Sequence, residues 1–211
     1  MQFSIVSLNI GKISKLEAGK KIVDSAFGKN AVDKAELTST GFLGDEQADL
    51  KHHGGVDKAV CVYSLHHLSY FESDLGIKMP IPSFGENFSI DEADEKDLFV
   101  GDIFESGEVK LQISQPRQPC FKTGAFHKNN SVIKKMIDTG ATGFYFRVLN
   151  AGSVSNGSVF TRVESDSRYS LKYANDIMYR RINSEEKLKD FISYESLSKA
   201  WKDELGARLN K

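Results

Sequence analysis

One of the chain's two cysteines, Cys120, stands in the run Ser114-Gln115-Pro116-Arg117-Gln118-Pro119-Cys120-Phe121-Lys122. A thiolate ligates soft metals or attacks electrophiles, and cations such as Arg117 and Lys122 favour that ionised form. Proline fixes φ and opposes helix, so Cys120 is expected on a stiff, irregular loop at a strand end. The other cysteine, Cys61, lies between Val60 and Val62, where a thiol reads as a small apolar packing group. Neither a Cys-x-x-Cys pair nor regular spacing is present, which argues for two reduced thiols rather than a disulfide framework or a structural zinc site.

A second group of reactive types runs Gly44-Asp45-Glu46-Gln47-Ala48-Asp49-Leu50-Lys51-His52-His53-Gly54-Gly55-Val56-Asp57-Lys58. Gly54 and Gly55 allow a backbone to approach an anion closely with exposed N–H groups, and Lys58 supplies charge. His52 and His53 are adjacent, so they point apart, and a third ligand at useful spacing is missing; zinc is therefore disfavoured. Two shorter pieces complete the set. Phe84-Gly85-Glu86-Asn87 follows a proline-containing loop, and Arg147 interrupts the aromatic run Gly143-Phe144-Tyr145-Phe146-Arg147-Val148, where it requires an acidic partner such as Glu86 or an anionic ligand. No Ser/His/Asp series and no G-x-G-x-x-G phosphate loop occurs.

The elements that must position these groups are mostly strands. Val109, Leu111 and Ile113 alternate with Lys110, Gln112 and Ser114, the period of a half-buried strand, and Ala59 to Tyr63 is a continuous apolar run. At the N-terminus Phe3 and Ile5 share one phase and Val6, Leu8 and Ile10 the other, a one-residue slip that a β-bulge absorbs. Two helices interrupt the strands: Leu65, Leu68, Phe71 and Leu75 recur up to Gly76, and Val132, Ile133, Met136 and Ile137 recur up to Gly140. Composition shifts near residue 165, after which Gly206 is the one glycine. Three short amphipathic helices are expected beyond that point, around Leu171 to Met178, Leu188 to Ile192 and Leu197 to Leu205. The reading is a mainly β (α+β) protein, a barrel over residues 1–165 followed by a three-helix appendix over 166–211.

Composition sets the outer bounds. With 40% hydrophobic, 10% aromatic and 27% charged residues, the 211-residue chain can bury a core. A formal net charge of -1 provides no global field for nucleic acid or anionic lipid. No apolar stretch reaches the roughly 18 residues of a membrane span, and the N-terminus lacks a signal peptide, so a cytoplasmic protein is expected.

Taken in order, GDEQADLKHHGGVDKAVCVYS, FGEN, VGDIF, SQPRQPCFK and TGFYFRVLNAG resemble the MOSC family, named for the C-terminal domain of molybdenum-cofactor sulfurases. They look most like its small stand-alone bacterial members with a three-helix appendix. The resemblance implies a MOSC-type β-barrel with peripheral helices, binding of the molybdenum cofactor (molybdopterin), and a metal-ligating cysteine at Cys120. Carried over by position, the cofactor pocket would comprise His53, Gly54, Gly55, Lys58, Asn87, Arg117, Cys120 and Arg147, with Asp45 and Tyr63 as further candidates. A dithiolene-bound metal accepts a soft thiolate, and a pterin phosphate is matched by arginine, lysine and backbone donors.

Three functions compete on this reading. The leading one is an oxidoreductase that reduces N-hydroxylated compounds, hydroxylamino bases or amidoximes, to amines. Its partners would be the small-molecule substrate and an electron-donor protein of unidentified kind, without nucleic acid or membrane, and with a homodimer left open. The second is a carrier that delivers the cofactor, or sulfur held on Cys120, without turnover. The third is a regulatory module docking through the C-terminal helices. Their ten basic and eight acidic residues from Asp166 onward fit a solvated face better than a docking surface.

Overall fold

The computed structural model describes residues 1–209. In chain order the first half contains β1 (Gln2–Ile10), β2 (Ser14–Ala18), β3 (Lys21–Ser25), β4 (Asn30–Ala31), β5 (Lys34–Thr38), β6 (Gly41–Phe42), α1 (Leu50–His53), β7 (Val60–Ser64), α2 (Leu68–Leu75) and β8 (Phe88–Ile90). The second half continues with β9 (Ile103–Ser106), β10 (Val109–Pro116), α3 (Phe121–Phe126), α4 (Ser131–Thr139), β11 (Phe144–Asn150), β12 (Gly152–Ser155), β13 (Val159–Glu164), α5 (Leu171–Met178), α6 (Glu185–Ser193) and α7 (Lys199–Gly206).

Seven strands close into a barrel in the order β1-β8-β7-β11-β10-β9-β13, and β13 returns to β1 through Gln2↔Thr161, Phe3↔Phe160 and Ser4↔Val159. Pairing is antiparallel except between β7 and β8. Closure removes the unpaired edges that an open sheet would present. The slip in β1 is resolved as expected: Ile5 pairs with Ile90 and Ser7 with Ser89, leaving Val6 as the extra, solvent-exposed residue of a bulge. Phe3 and Ile5 before the bulge and Leu8 after it therefore all point into the core.

Inside the barrel the aromatics interlock. Phe3 lies 5.1 Å from Phe104 and 5.6 Å from Phe160, and Phe146 lies 5.7 Å from Phe104, distances at which rings pack edge-on or offset. The C-terminal helices share this core, with Leu171, Ile177, Phe191, Trp201 and Leu205 buried in the same cluster as the barrel residues. Each of the three starts on a serine whose side chain accepts a backbone N–H three residues on: Ser170 from Tyr173, Ser184 from Lys187 and Ser198 from Trp201. The two earlier helices end at Gly76 and Gly140 in the left-handed conformation, as their spacing predicts.

The strands β7 and β11 matter most for the site, because both of their faces are covered. Val60, Val62, Phe144 and Phe146 face the barrel interior, whereas Tyr63 faces out into a second cluster with Phe71, Phe84, Val132 and Met136. The apolar run of β7 is thus continuous because α2 and α4 cover its outer face, not because it is central to an open sheet. No helix among the described residues is long and apolar enough to cross a membrane.

Candidate cofactor site

A pocket of about 590 Å³, counting space open to solvent, lies on the outer face of β7 and β11. The strands contribute Cys61 and Tyr145 to its floor, the segment after β10 and the start of α3 contribute Arg117, Cys120 and Lys122, and the loop leading into α1 and the end of that helix contribute Asp45, Asp49 and His53. Cys120 occupies the irregular segment expected for it, half-buried, but it also immediately precedes α3, a short helix that the prolines ahead of it conceal in the sequence.

Arg117 is the centre of the electrostatics. Its side chain is 4% exposed, yet no carboxylate among the described residues contacts it. One terminal nitrogen donates to the Phe84 carbonyl and lies 3.9 Å from the Cys61 sulfur; the Phe27 ring sits 5.7 Å below the guanidinium. Its buried Nε has no hydrogen-bond partner among the described residues. A buried cation with an orphaned donor is costly on its own and is stabilised by an anion. Burial works against the Arg117 charge, but a guanidinium stays ionised across the accessible pH range, and the acidic side chains around it, the buried Glu86 carboxyl among them, act in favour of that charge.

The same field acts on its neighbours. Burial, followed by the charges of Arg117 and Lys58, lowers the His53 pKa to about 4, so the imidazole is neutral at pH 7. Lys58 is shifted down by burial and donates to the His52 carbonyl at 2.7 Å. The Cys61 thiol is pushed up by burial, with Arg117 opposing, and the Tyr145 hydroxyl beside it is likewise raised by burial and by Cys61. Cys61 is therefore a buried, protonated thiol, as its packing role in β7 requires, and it also lines the pocket floor. An apolar run hides which of its residues face inward once both faces are buried.

A buried bracket supports the pocket wall. Lys29 pairs with Asp45, both side chains being 6% exposed, and Asp45 also accepts from the Gly11 N–H at 2.7 Å. Asn87 donates to Asp45 at 2.9 Å and to the Asn9 carbonyl at 3.2 Å, and accepts from the Cys61 N–H at 3.1 Å. Asn87 and Asp45 thus touch the pocket with their hydrogen-bonding capacity already committed to holding three loops together. Lys29 gives no signal of its role in the sequence, because it enters from a distant loop.

Other expected residues lie elsewhere. Arg147 is outside the pocket: its Nε and terminal nitrogen reach Asp57 at 2.9 and 2.8 Å, and its other terminal nitrogen reaches Gln112 at 2.9 Å. It shares the outer face of β11 with Tyr145, but two residues further along, over the turn at Asp57. Glu86 is not its partner. That buried carboxyl, raised in pKa by burial, accepts from the Phe84 N–H at 2.8 Å and the Ser89 hydroxyl at 2.7 Å. Gly54 and Gly55 are not among the pocket-lining residues. A Cβ on Gly54 would come within 2.8 Å of the Leu50 carbonyl, and Gly55 has φ +95, so both glycines shape the turn that presents His53 and Lys58. Tyr63 donates to the Ala141 carbonyl at 3.0 Å and stacks on Phe84 at 3.9 Å, one layer behind the pocket.

A closed seven-strand barrel carrying a cysteine, an unpaired buried arginine and a neutral histidine on its outer wall defines a class. The chain belongs to the MOSC domain family, whose signature matches residues 49–161. It is 37% identical over 203 residues to the uncharacterized protein YflK of Bacillus subtilis, covering 95% of this chain and 92% of YflK. To protein YiiM of Escherichia coli it is 34% identical over 200 residues, covering 93% and 88%. The crystal structure of YiiM from Geobacillus stearothermophilus superposes with a TM-score of 0.83 at 32% identity, covering 98% of this chain and 99% of that one. A protein named reductase from Gibberella moniliformis is 30% identical over 167 residues, 76% of this chain but 29% of that protein. MOSC domains are associated with binding of the molybdenum cofactor.

Proposed function

We propose that this protein is an oxidoreductase that binds the molybdenum cofactor in the pocket around Cys120 and reduces N-hydroxylated compounds, hydroxylamino bases or amidoximes, to amines. The observation that carries the cofactor reading is the buried Arg117, which among the described residues has an orphaned Nε and no carboxylate partner and lines the same pocket as an accessible thiol. That donor set fits an anionic, sulfur-rich group: Cys120 would ligate the metal, while Arg117, Lys58 and Lys122 would meet negative charge. His53, neutral at pH 7, offers either a donor or an acceptor without adding charge.

When bound, the cofactor supplies two-electron oxygen-atom chemistry. The protein's part is to hold, orient and shield. Burial keeps Cys61 and Tyr145 protonated, so the floor presents S–H and O–H donors rather than competing anions. The net reaction consumes two electrons and two protons and releases the amine and water. The electrons come from a separate reductant, a donor protein or a small molecule, in the cytoplasm.

The test is turnover against transfer. Protein expressed in a host that makes the cofactor is assayed for molybdenum, then given benzamidoxime or a hydroxylaminopurine with reduced viologen. One metal per chain and multiple turnovers that Cys120→Ser abolishes are the expected result. Efficient delivery of cofactor or sulfur to an apo-molybdoenzyme, with no reduction of any N-hydroxylated compound, would overturn the reading in favour of a carrier.

A further inference from the structure

Three residues of the Phe84-Gly85-Glu86-Asn87 segment line the pocket, and Glu86, which is 0% exposed, does not. Its Oε2 accepts from the Phe84 N–H at 2.8 Å, and its Oε1 accepts from the Ser89 hydroxyl at 2.7 Å and the Ser83 N–H at 3.3 Å. Three donors thus converge on one carboxyl group, the partner set of a carboxylate rather than of an acid. Burial raises the Glu86 pKa, and the Ser89 hydroxyl, the backbone donors and Arg117 oppose that rise.

The carboxyl fixes a turn made by the residues just before it, and the turn aims one carbonyl. Phe84 gives its N–H to Glu86 and its C=O to a terminal nitrogen of Arg117, so a buried acid and a buried cation are joined through the backbone of a single residue without touching. The turn has little freedom elsewhere. Gly85 has φ +68, and a Cβ there would come within 3.1 Å of the Phe27 carbonyl oxygen and 3.2 Å of its ring, which lies 5.7 Å below the guanidinium. The Phe84 ring is held between Tyr63 at 3.9 Å and Phe71 at 5.7 Å, and the Asn87 N–H donates to the Cys61 carbonyl at 2.8 Å. A carboxylate set directly on Arg117 would occupy its donors and cancel its charge at the pocket. One residue removed, Glu86 favours the buried charge and leaves Nε open.

We propose that Glu86 is the positioning residue of Arg117: by holding the Ser83 and Phe84 N–H groups it aims the Phe84 carbonyl at the guanidinium and fixes Arg117 on the pocket wall with its Nε open to an anion. That Arg117 uses this position to hold the molybdenum cofactor rests on the reading above; the positioning itself does not.

The experiment reads the Arg117 side chain directly. In the cofactor-free full chain with isotope-labelled arginine, the signals that Arg117→Met removes identify the residue, and rotation about its Cζ–N bonds is measured by NMR. Glu86→Gln keeps the shape but replaces an acceptor oxygen by a donor, and should speed that rotation roughly tenfold, the loss of about one hydrogen bond. Asp102→Asn makes the same change at a buried carboxylate that serves Arg162, and should leave Arg117 as it is while costing stability. Glu86→Asp keeps the charge but draws it back from the turn; it should act in the same direction by less, and it carries the test if the glutamine variant does not fold. Unchanged rotation, or equal change in Asp102→Asn, overturns the proposal.

Metal retention in protein from a host that makes the cofactor gives a second reading with a telling sign. Removing a negative charge near the pocket would by itself strengthen retention of an anionic group, whereas displacing Arg117 weakens it. A several-fold loss of molybdenum in Glu86→Gln is expected, and equal or greater retention than in the parent chain overturns the proposal. If the parent chain holds no molybdenum while the rotation responds as expected, the positioning stands and the cofactor reading falls.

Discussion

Arg117 and Arg147 leave neighbouring strands of one barrel and meet opposite surroundings. Arg147 closes its own circuit, with Asp57 on two of its nitrogens and Gln112 on the third, while the second oxygen of Asp57 accepts from the start of α7. Arg117 is more deeply buried and is given only a carbonyl, a distant sulfur and a ring face. A closed network spends its charge on holding elements together; an open one retains charge for a ligand. The difference separates a strut from a binding group without any appeal to position in a motif.

Substitutions at the two arginines' partners should pull the two roles apart. Arg117→Met should cause the largest functional loss, abolishing retention of the cofactor while leaving thermal stability unchanged or raised, because a buried cation lacking a carboxylate partner is removed. Metal content and a melting curve on the same preparation check it; retained metal would return Arg117 to a packing role. Asp57→Asn should do the reverse. It strands Arg147 and weakens the tie to α7, costing about 2 kcal/mol, below the range for a fully buried pair because both side chains remain partly exposed. Metal content should be unaffected, and chemical denaturation reads the loss.

Much of the frame was legible before the structure. The phase slip of β1 reports the bulge at Val6 because side-chain alternation is a rigid geometric rule, and Gly76 and Gly140 mark helix ends for the same reason. The site was legible only in part. Cys120, Arg117, His53 and Lys58 stand in polar loops whose residue types have few other uses, and all four meet in one pocket. Arg147 lies outside that pocket, paired with Asp57 90 residues away, and charge pairing at that separation leaves no local trace. Lys29 and Tyr145 were missed, the first for distance and the second because it sits within an aromatic strand whose faces the sequence does not distinguish. The alternation that places Phe144 and Phe146 inside the barrel puts Tyr145 in the pocket.

Cys61 offers a smaller test of the open side. Replacing the buried thiol by a hydroxyl, Cys61→Ser, should lower stability by about 1 kcal/mol, since the Arg117 and Tyr145 groups beside it can partner the new oxygen. It should also weaken cofactor retention several-fold, where Cys120→Ser eliminates it. If Cys61→Ser loses stability alone and binds cofactor as before, the floor of the pocket does not take part in recognition and Cys61 reverts to packing.

The smallest effect probes the field itself. With Arg117, Lys58 and Lys122 disfavouring a positive charge on His53 and only Asp49 opposing them, and with burial acting first, the imidazole of the cofactor-free protein should titrate at about 4. The sign for stability follows. An unfolded histidine takes its proton near pH 6.5, whereas the folded one resists until about pH 4, so this group lowers stability progressively as pH falls across that window and is neutral in effect above it. In Arg117→Met the first-named charge is gone, and the titration of His53, followed by its ring resonances, should move upward toward 6.5 without reaching it, because burial and Lys58 remain. The corresponding change at Arg147, Arg147→Met, should leave His53 where it is. Equal movement in both variants would mean that the two arginines feed one common field, and the distinction between strut and binding group would dissolve.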